Sequence, residues 1–94
     1  MLFEWDEAKR RRNLAKHGVD FELVGDMDWG NALRLPDNRH AYGEIRYLAL
    51  GYIGERLYAC IYANREGRKR IISLRKANRR EEQLYEEETE TFDE

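Results

Sequence analysis

The sequence holds very little of the chemistry that binds metals or forms cross-links. Its 94 residues include one cysteine, Cys60, and two histidines, His17 and His40. A single cysteine excludes a disulfide framework and a cysteine-based zinc site within the chain. The two histidines are far apart, and neither has a second ligand at the spacing of a helical metal site. We therefore expect no metal, and we expect Cys60 to be a small buried residue.

Long apolar runs and nucleotide-binding loops are also missing. No apolar stretch approaches the roughly 20 residues that cross a bilayer, and acids and bases occupy the N-terminal segment, where a signal peptide needs apolar residues. The chain has neither a G-x-x-x-x-G-K-S/T nor a G-x-G-x-x-G motif, so no nucleotide cofactor is expected. Its length allows one domain. We expect a cytoplasmic protein, with a single domain over residues 1–94 and no contact with a membrane.

Charged residues, by contrast, are abundant and segregated. They make up 38% of the chain, against about 25% in an average soluble protein. Residues 65–80 contain eight basic residues and one acidic residue, whereas residues 81–94 contain eight acidic residues and no basic one. The basic segment has the charge of a nucleic-acid-binding surface. The acidic segment is either a solvated helix end and tail or a competitor for the basic segment.

Capping residues predict two helices near the N-terminus. Asp6 suits an N-cap and Gly18 suits the left-handed position after a helix, which predicts a helix from about residue 7 to residue 17. Asp20 suits the N-cap of a second, short helix from residue 21 to about residue 28.

The rest of the chain predicts a sheet followed by a helix. Residues with high strand propensity between turn signals predict strands at residues 31–35, 42–52, 56–64 and 69–75. Their short connections favour an antiparallel meander. A closing helix from residue 78 to about residue 87 begins on two arginines, which opposes the helix dipole, so its start should need support from elsewhere. The predicted fold class is α+β: two N-terminal helices, a four-stranded antiparallel twisted sheet and a C-terminal helix.

Alternation along the predicted strands separates an apolar face from a polar one. The face expected to lie under the helices holds Leu57, Ala59, Ile61 and Ala63. The opposite face carries Glu44, Arg46, Tyr62, Ser73 and Arg75, and Ile71 breaks the pattern. Two interpretations are open. The polar face is either the solvated side of a half-covered sheet or a surface on which arginines and aromatic rings bind RNA or another polyanion.

Three phrases of the sequence resemble the BrnT family of toxins, in order and over nearly the whole chain. They are Phe3-Glu4-Trp5-Asp6 with Lys16-His17-Gly18-Val19, then Asp37-x-Arg39-His40-x-Tyr42-Gly43-Glu44-x-Arg46, then Arg70-Ile71-Ile72-Ser73-x-Arg75-Lys76-Ala77. The resemblance implies the toxin half of a type II toxin–antitoxin pair, with a fold similar to the RelE ribonucleases. It implies RNA cleavage that stops translation. The implied partner is a BrnA-type antitoxin in a two-plus-two complex, and operator DNA is bound only through that antitoxin.

The resemblance also suggests roles for individual residues. Without a metal, the 2′-hydroxyl of RNA attacks the neighbouring phosphate, so the protein must take its proton, neutralise the phosphorane charge and protonate the leaving oxygen. The expected phosphate binders are Arg46, Arg70 and Arg75, the base is Glu44 or His17, and the acid is Tyr62 or a histidine. Other candidates for RNA binding are Lys16, Arg65, Ser73, Lys76 and Arg79. Alternatively, Glu44 and Arg46 form an ion pair that only fixes strand register.

Two other classes of function stay open at this stage. One is a nucleic-acid-binding module that uses the basic segment without cutting RNA. The other is an interaction protein whose thin core is completed by another chain, which the small size of the chain makes physically reasonable.

Overall fold

A single five-stranded sheet organises the computed structural model, which describes residues 1–39 and 41–90. The strands are β1 (Leu2–Trp5), β2 (Leu33–Pro36), β3 (Arg46–Ile53), β4 (Arg56–Arg65) and β5 (Arg68–Lys76). The α-helices are α1 (Glu7–His17) and α2 (Arg79–Thr89), and two 3-10 helices cover Phe21–Asp26 and Trp29–Asn31. The strand order is β1-β5-β4-β3-β2. The predicted α+β class is confirmed.

Two details of the predicted fold are wrong. The sheet has five strands and is mixed, because β1 lies parallel to β5 at one edge. A strand of four residues whose partner lies some 60 residues away leaves no turn signal in the sequence. The second predicted helix is instead a pair of short 3-10 helices, although Asp20 does cap the first of them through its bond from the Glu22 N–H. Glycines at positions 25 and 30 weaken a longer α-helix here.

Helix α1 begins and ends where the capping residues predict. The Asp6 carboxylate accepts hydrogen bonds from the Ala8 and Lys9 amides, at 2.8 and 3.4 Å. Gly18 follows the helix with φ of 71°, and its N–H donates to the Leu14 carbonyl at 2.8 Å. A left-handed residue at this point favours glycine. The Gly18 cap fixes the last turn of α1, which carries two of the candidate site residues.

Asn13 attaches α1 to the sheet. β1 pairs only with residues 68–71 of β5, so the edge of β5 beyond that point has no strand beside it. There Asn13 Nδ2 donates to the Leu74 carbonyl at 2.7 Å, and its Oδ1 accepts from the Leu74 N–H at 3.1 Å. A further bond reaches the Val19 carbonyl at 3.0 Å. The buried amide therefore replaces a strand and holds the end of α1 beside β5.

Replacing Asn13 by leucine is expected to lower the free energy of unfolding by about 1–3 kcal/mol, because the buried backbone groups of Leu74 lose their partner. Urea denaturation measures the change. Arg11→Ala on the exposed side of the same helix is the control, and it should change stability by less than about 0.5 kcal/mol. Equal stability of Asn13→Leu and wild type would show that this amide does not anchor α1.

Both faces of the sheet carry core residues. One face packs against the 3-10 layer and buries Ala49, Cys60, Tyr62, Ile71 and Leu74 with Phe21, Val24 and Trp29. The other face packs against α2 and buries Leu50, Leu57, Ala59 and Ala77, with Leu84 and Tyr85 beside them. The expectation of one covered apolar face and one open polar face is therefore wrong. Cys60 is fully buried, as predicted, and burial raises the pKa of its thiol.

A β-bulge in β5 explains the irregular pattern at Ile71. Ile61 pairs with Ser73, but the next residue of β4, Tyr62, pairs with Ile71, which leaves Ile72 as an extra residue. The bulge puts Ile71 on the buried side with Tyr62. Ser73 therefore shares the opposite side with Ile61.

The registers of β3 and β5 against β4 decide where the polar residues lie. Arg46 pairs with Ala63 and Arg75 pairs with Ala59, on the face that α2 only partly covers. Tyr62 lies on the other face and is 2% exposed. Its predicted position beside Arg46 and Arg75 is wrong, because these arginines pair with Ala63 and Ala59, which lie on the opposite face of β4 from Tyr62.

Candidate active site

A cleft of about 500 Å³ lies where the C-terminus of α1 meets the end of β5. We call this space the His17 cleft. Its lining residues are Lys16, His17, Gly18, Val19, Leu23, Tyr58, Arg75 and Lys76. A shallower groove of about 360 Å³ continues from it along α1 to Ser73. Four of the predicted site residues, at positions 16, 17, 75 and 76, thus line one concave surface, and Ser73 lines its extension.

His17 is the histidine that lines this cleft. Partial burial lowers the pKa of His17 from its ordinary value of 6.5, and the charges of Lys16 and Arg75 lower it further. The imidazole is therefore neutral at pH 7, with a nitrogen lone pair available to take a proton. The Gly18 cap ends α1 directly after His17, so the side chain lies at the mouth of the cleft.

Arg75 is held in place by an acid from α2. Its two terminal nitrogens donate to the two carboxylate oxygens of Glu81, each at 2.8 Å. Glu81 also accepts from the Asn78 N–H at 2.9 Å, and Asn78 accepts from the Glu81 N–H, which completes a capping box. This arrangement supplies the support that the arginine-rich start of α2 was predicted to need. It is also a contact between the acidic and basic segments of the sequence.

A second cationic cluster lies at the opposite end of β5. Glu44 pairs with Arg46 at 3.3 Å and with Arg65 at 3.5 Å, and Glu4 pairs with Arg70 at 3.1 Å. At about 3.3 Å per residue, Arg70 and Arg75 are roughly 16 Å apart along the strand. The two clusters therefore cannot bind the same phosphate group.

Glu44 is an ion-paired carboxylate. Burial alone would raise its pKa, but hydrogen bonds from Arg46 and Arg65 outweigh that effect and hold the pKa below its ordinary value. Arg46 also lies over the ring of Tyr42, 4.0 Å from its centroid. These ion pairs agree with the alternative in which Glu44 pairs with Arg46, and they disfavour Glu44 as a base.

The remaining candidates lie outside both clusters. Tyr62 is stacked on Tyr47, with ring centroids 5.5 Å apart, and burial raises the pKa of its hydroxyl. It cannot reach RNA as an acid from this position. Arg79 is exposed in the first turn of α2. His40, the other histidine, lies outside the described residues.

Among the lining residues that the sequence reasoning missed are Tyr58 and Arg12. Tyr58 lines the His17 cleft and pairs across the strands with Lys76. Arg12 lines the neighbouring groove. The sequence could have indicated Arg12, because Lys9, Arg12 and Lys16 are spaced so that they lie on one face of a helix. Tyr58 had no comparable signal, since its place depends on the register between β4 and β5.

Two absences complete the description of the site. Among residues 1–39 and 41–90, no helix has the length and apolar character needed to cross a membrane. Within the same part of the chain, no group of three histidine, cysteine or acidic side chains is arranged to hold a metal ion.

A family model matches most of this chain. Residues 5–81 match the model of the ribonuclease toxin, BrnT, of type II toxin–antitoxin systems. The fold and this match define a ribonuclease toxin, and a type II system implies an antitoxin partner. The chain belongs to the BrnT toxin family, as its sequence motifs suggested.

A solved structure supports the same conclusion. The crystal structure of the Brucella abortus ribonuclease toxin, BrnT, matches with a TM-score of 0.67 and 28% sequence identity. The match covers 84% of this chain and 100% of that chain. No curated protein sequence matches the chain.

Proposed function

We propose that this chain is a metal-independent endoribonuclease of the RelE-like type, which arrests translation by cutting RNA. The observation that carries the proposal is the neutral His17 in a cleft shared with Lys16, Arg75 and Lys76. A base beside several cations is the arrangement that metal-free cleavage of RNA requires. The cleft offers basic side chains, whereas Mg²⁺ sites are built from carboxylates.

In this mechanism the 2′-hydroxyl of the RNA is the nucleophile. His17 takes its proton as the oxygen attacks the adjacent phosphorus. Arg75 and Lys76 neutralise the charge that develops on the phosphate oxygens. The bond from phosphorus to the 5′-oxygen then breaks, which leaves a 2′,3′-cyclic phosphate and a new 5′-hydroxyl.

The leaving 5′-oxygen also needs a proton. Tyr58 lines the same cleft and carries a hydroxyl that can donate this proton. We assign the role of acid to Tyr58 in place of the buried Tyr62.

The cluster at the other end of β5 binds flanking phosphates in this proposal. Arg46, Arg65 and Arg70 are held by Glu44 and Glu4, which keeps their guanidinium groups at the surface of the sheet. Contacts at this distance from His17 should contribute to RNA affinity and leave the chemical step unaffected.

Replacing Arg46 by alanine is expected to weaken RNA binding several-fold with little change in kcat. The slope of log Kobs against log salt concentration should decrease in magnitude by about 0.7, the value for one lost phosphate contact on a single strand. Binding titrations between 50 and 300 mM salt measure it, with Arg11→Ala as the control for loss of one positive charge. An unchanged slope would remove Arg46 from the RNA-binding surface.

The proposal extends to the partner and the location. We propose a BrnA-type antitoxin that forms a two-plus-two complex and carries the contacts to operator DNA, with both proteins in the cytoplasm. The support is the membership of this chain in a type II toxin–antitoxin family.

Incubation of the purified chain with labelled RNA in excess EDTA tests the proposed activity. Cleavage products would support the ribonuclease. A stable complex without products would contradict it and favour a binding module. Aggregation that only an antitoxin reverses would favour the partner-dependent interaction protein.

A further inference from the structure

A small cavity adjoins the His17 cleft on the other side of Arg75. Its volume is about 240 Å³. Leu35, Leu48 and Ile61 form an apolar floor, and Arg39 and Arg75 lie at its edge. Because Arg75 lines both spaces, a phosphate bound to Arg75 would have the His17 cleft on one side and this cavity on the other.

The floor of the cavity is built by strand register. Leu35 of β2 pairs with Leu48 of β3, and Leu48 pairs with Ile61 of β4, so the three side chains form a row across the sheet. α2 covers the next part of this face, where Leu50 and Ala59 are fully buried or nearly so. The row is therefore a stretch of core-like surface beside the first turn of α2, where the covering helix begins.

The edge of the cavity is held by two ion pairs, Arg39 with Asp37 and Arg75 with Glu81. Arg39 donates from Nε and Nη2 to the two oxygens of Asp37, at 2.8 and 3.0 Å. The Asp37 side chain is 3% exposed. The backbone N–H of Asp37 donates to the Arg46 carbonyl at 2.8 Å. These bonds hold the connection between β2 and β3, so Arg39 is fixed beside the floor.

We propose that this cavity binds a nucleobase of the RNA, from a nucleotide next to the cleaved phosphate. The inference rests on the proposed function. A base is the apolar, flat part of a nucleotide, whereas its sugar and phosphate are polar. The cavity is smaller than the roughly 300–1,000 Å³ of sites for drug-sized ligands, which suits one base. A guanidinium group at the edge can stack on the base or donate to its acceptors.

The occupancy can be observed directly by NMR of the whole chain with labelled Leu and Ile methyl groups. The probe is a tetranucleotide of sequence AGCU with 2′-O-methyl groups, which cannot be cut by 2′-hydroxyl attack. A tetramer of the same charge without bases is the matched control. The RNA should shift the methyl signals of Leu35, Leu48 and Ile61, and the base-free tetramer should leave them in place.

Two variants test the same cavity by affinity. Leu35→Phe fills the space, and Arg39→Ala removes the guanidinium without changing the floor. One stacked base contributes about 1–3 kcal/mol, so each variant should bind the tetranucleotide about fivefold or more weakly than wild type. Neither should change the affinity for the base-free tetramer by that factor. Arg11→Ala controls for the lost charge.

The outcomes separate this inference from the proposed function. Equal methyl shifts with and without bases, or no shifts with RNA, would overturn the base cavity even if RNA with free 2′-hydroxyls is cut. Base-dependent shifts, together with no cutting of RNA that has free 2′-hydroxyls, would support the base cavity and contradict the ribonuclease.

Discussion

Replacing Arg75 by alanine is expected to lower the rate of RNA cleavage by about 100- to 1,000-fold. The reason is loss of a charge-assisted contact to the phosphate in the transition state, on the scale of one oxyanion-hole donor. The guanidinium is held by both oxygens of Glu81, so little of its binding energy is spent on ordering it. Single-turnover cleavage rates, measured with saturating protein, report the effect.

A matched variant separates catalysis from folding, because Arg75 also supports the start of α2. Arg56 is another strand arginine that contacts this region, through the Ala77 carbonyl at 2.8 Å and through Glu82 at 4.0 Å. It does not line the His17 cleft. Arg56→Ala should loosen α2 to a similar extent and keep most of the cleavage activity. If both variants lose activity equally, Arg75 acts through α2 and does not bind the phosphate.

Replacing His17 by glutamine is expected to lower cleavage by about 100- to 10,000-fold, the usual contribution of a general base. Wild-type activity should depend on pH in a defined direction. Since burial and neighbouring cations hold the pKa of His17 below 6.5, the base is available at neutral pH and is lost as the pH falls through that lowered value. The glutamine variant should lack this acidic limb.

The pH–rate profile of both proteins between pH 4.5 and 8 makes this comparison. Stability provides a second check. Because the folded state disfavours protonation of His17, the free energy of unfolding of the wild type should decrease as the pH falls below about 6.5. The His17→Gln variant should lack this part of the decrease. An acidic limb that persists in His17→Gln would assign it to another group.

Local signals explain the parts of the fold that the sequence predicted. Asp6 and Gly18 define α1 through contacts within a few residues. The turn of β4 and β5 is equally local, since Glu66 and Gly67 both adopt positive φ, as a two-residue hairpin requires. Such features depend on neighbours in the chain.

The errors came from contacts between distant residues. β1 forms only because β5 offers an edge after the chain has turned back, so nothing near Phe3 marks it as a strand. Whether Tyr62 shares a face with Arg46 and Arg75 depends on the strand registers, which pair these arginines with Ala63 and Ala59, and a shift of one residue reverses a face.

The sequence marked candidate residues by their charge but did not show how they are arranged. Positive charge identified Lys16, Arg75 and Lys76, which lie together. The same charge identified Arg46 and Arg70, which lie in the other cluster. The charge of a residue does not show how far it lies from the others in the fold. The choice between Tyr58 and Tyr62 required the strand register.

The most direct test of the account is the chemistry of the cut. An RNA with one mapped cleavage site is compared, in excess EDTA, with the same RNA carrying a single 2′-deoxyribose before that site. The account predicts a 2′,3′-cyclic phosphate and a 5′-hydroxyl from the first RNA and no cleavage at that site in the second. Cleavage at the deoxyribose, or products with a 5′-phosphate, would contradict attack by the 2′-hydroxyl.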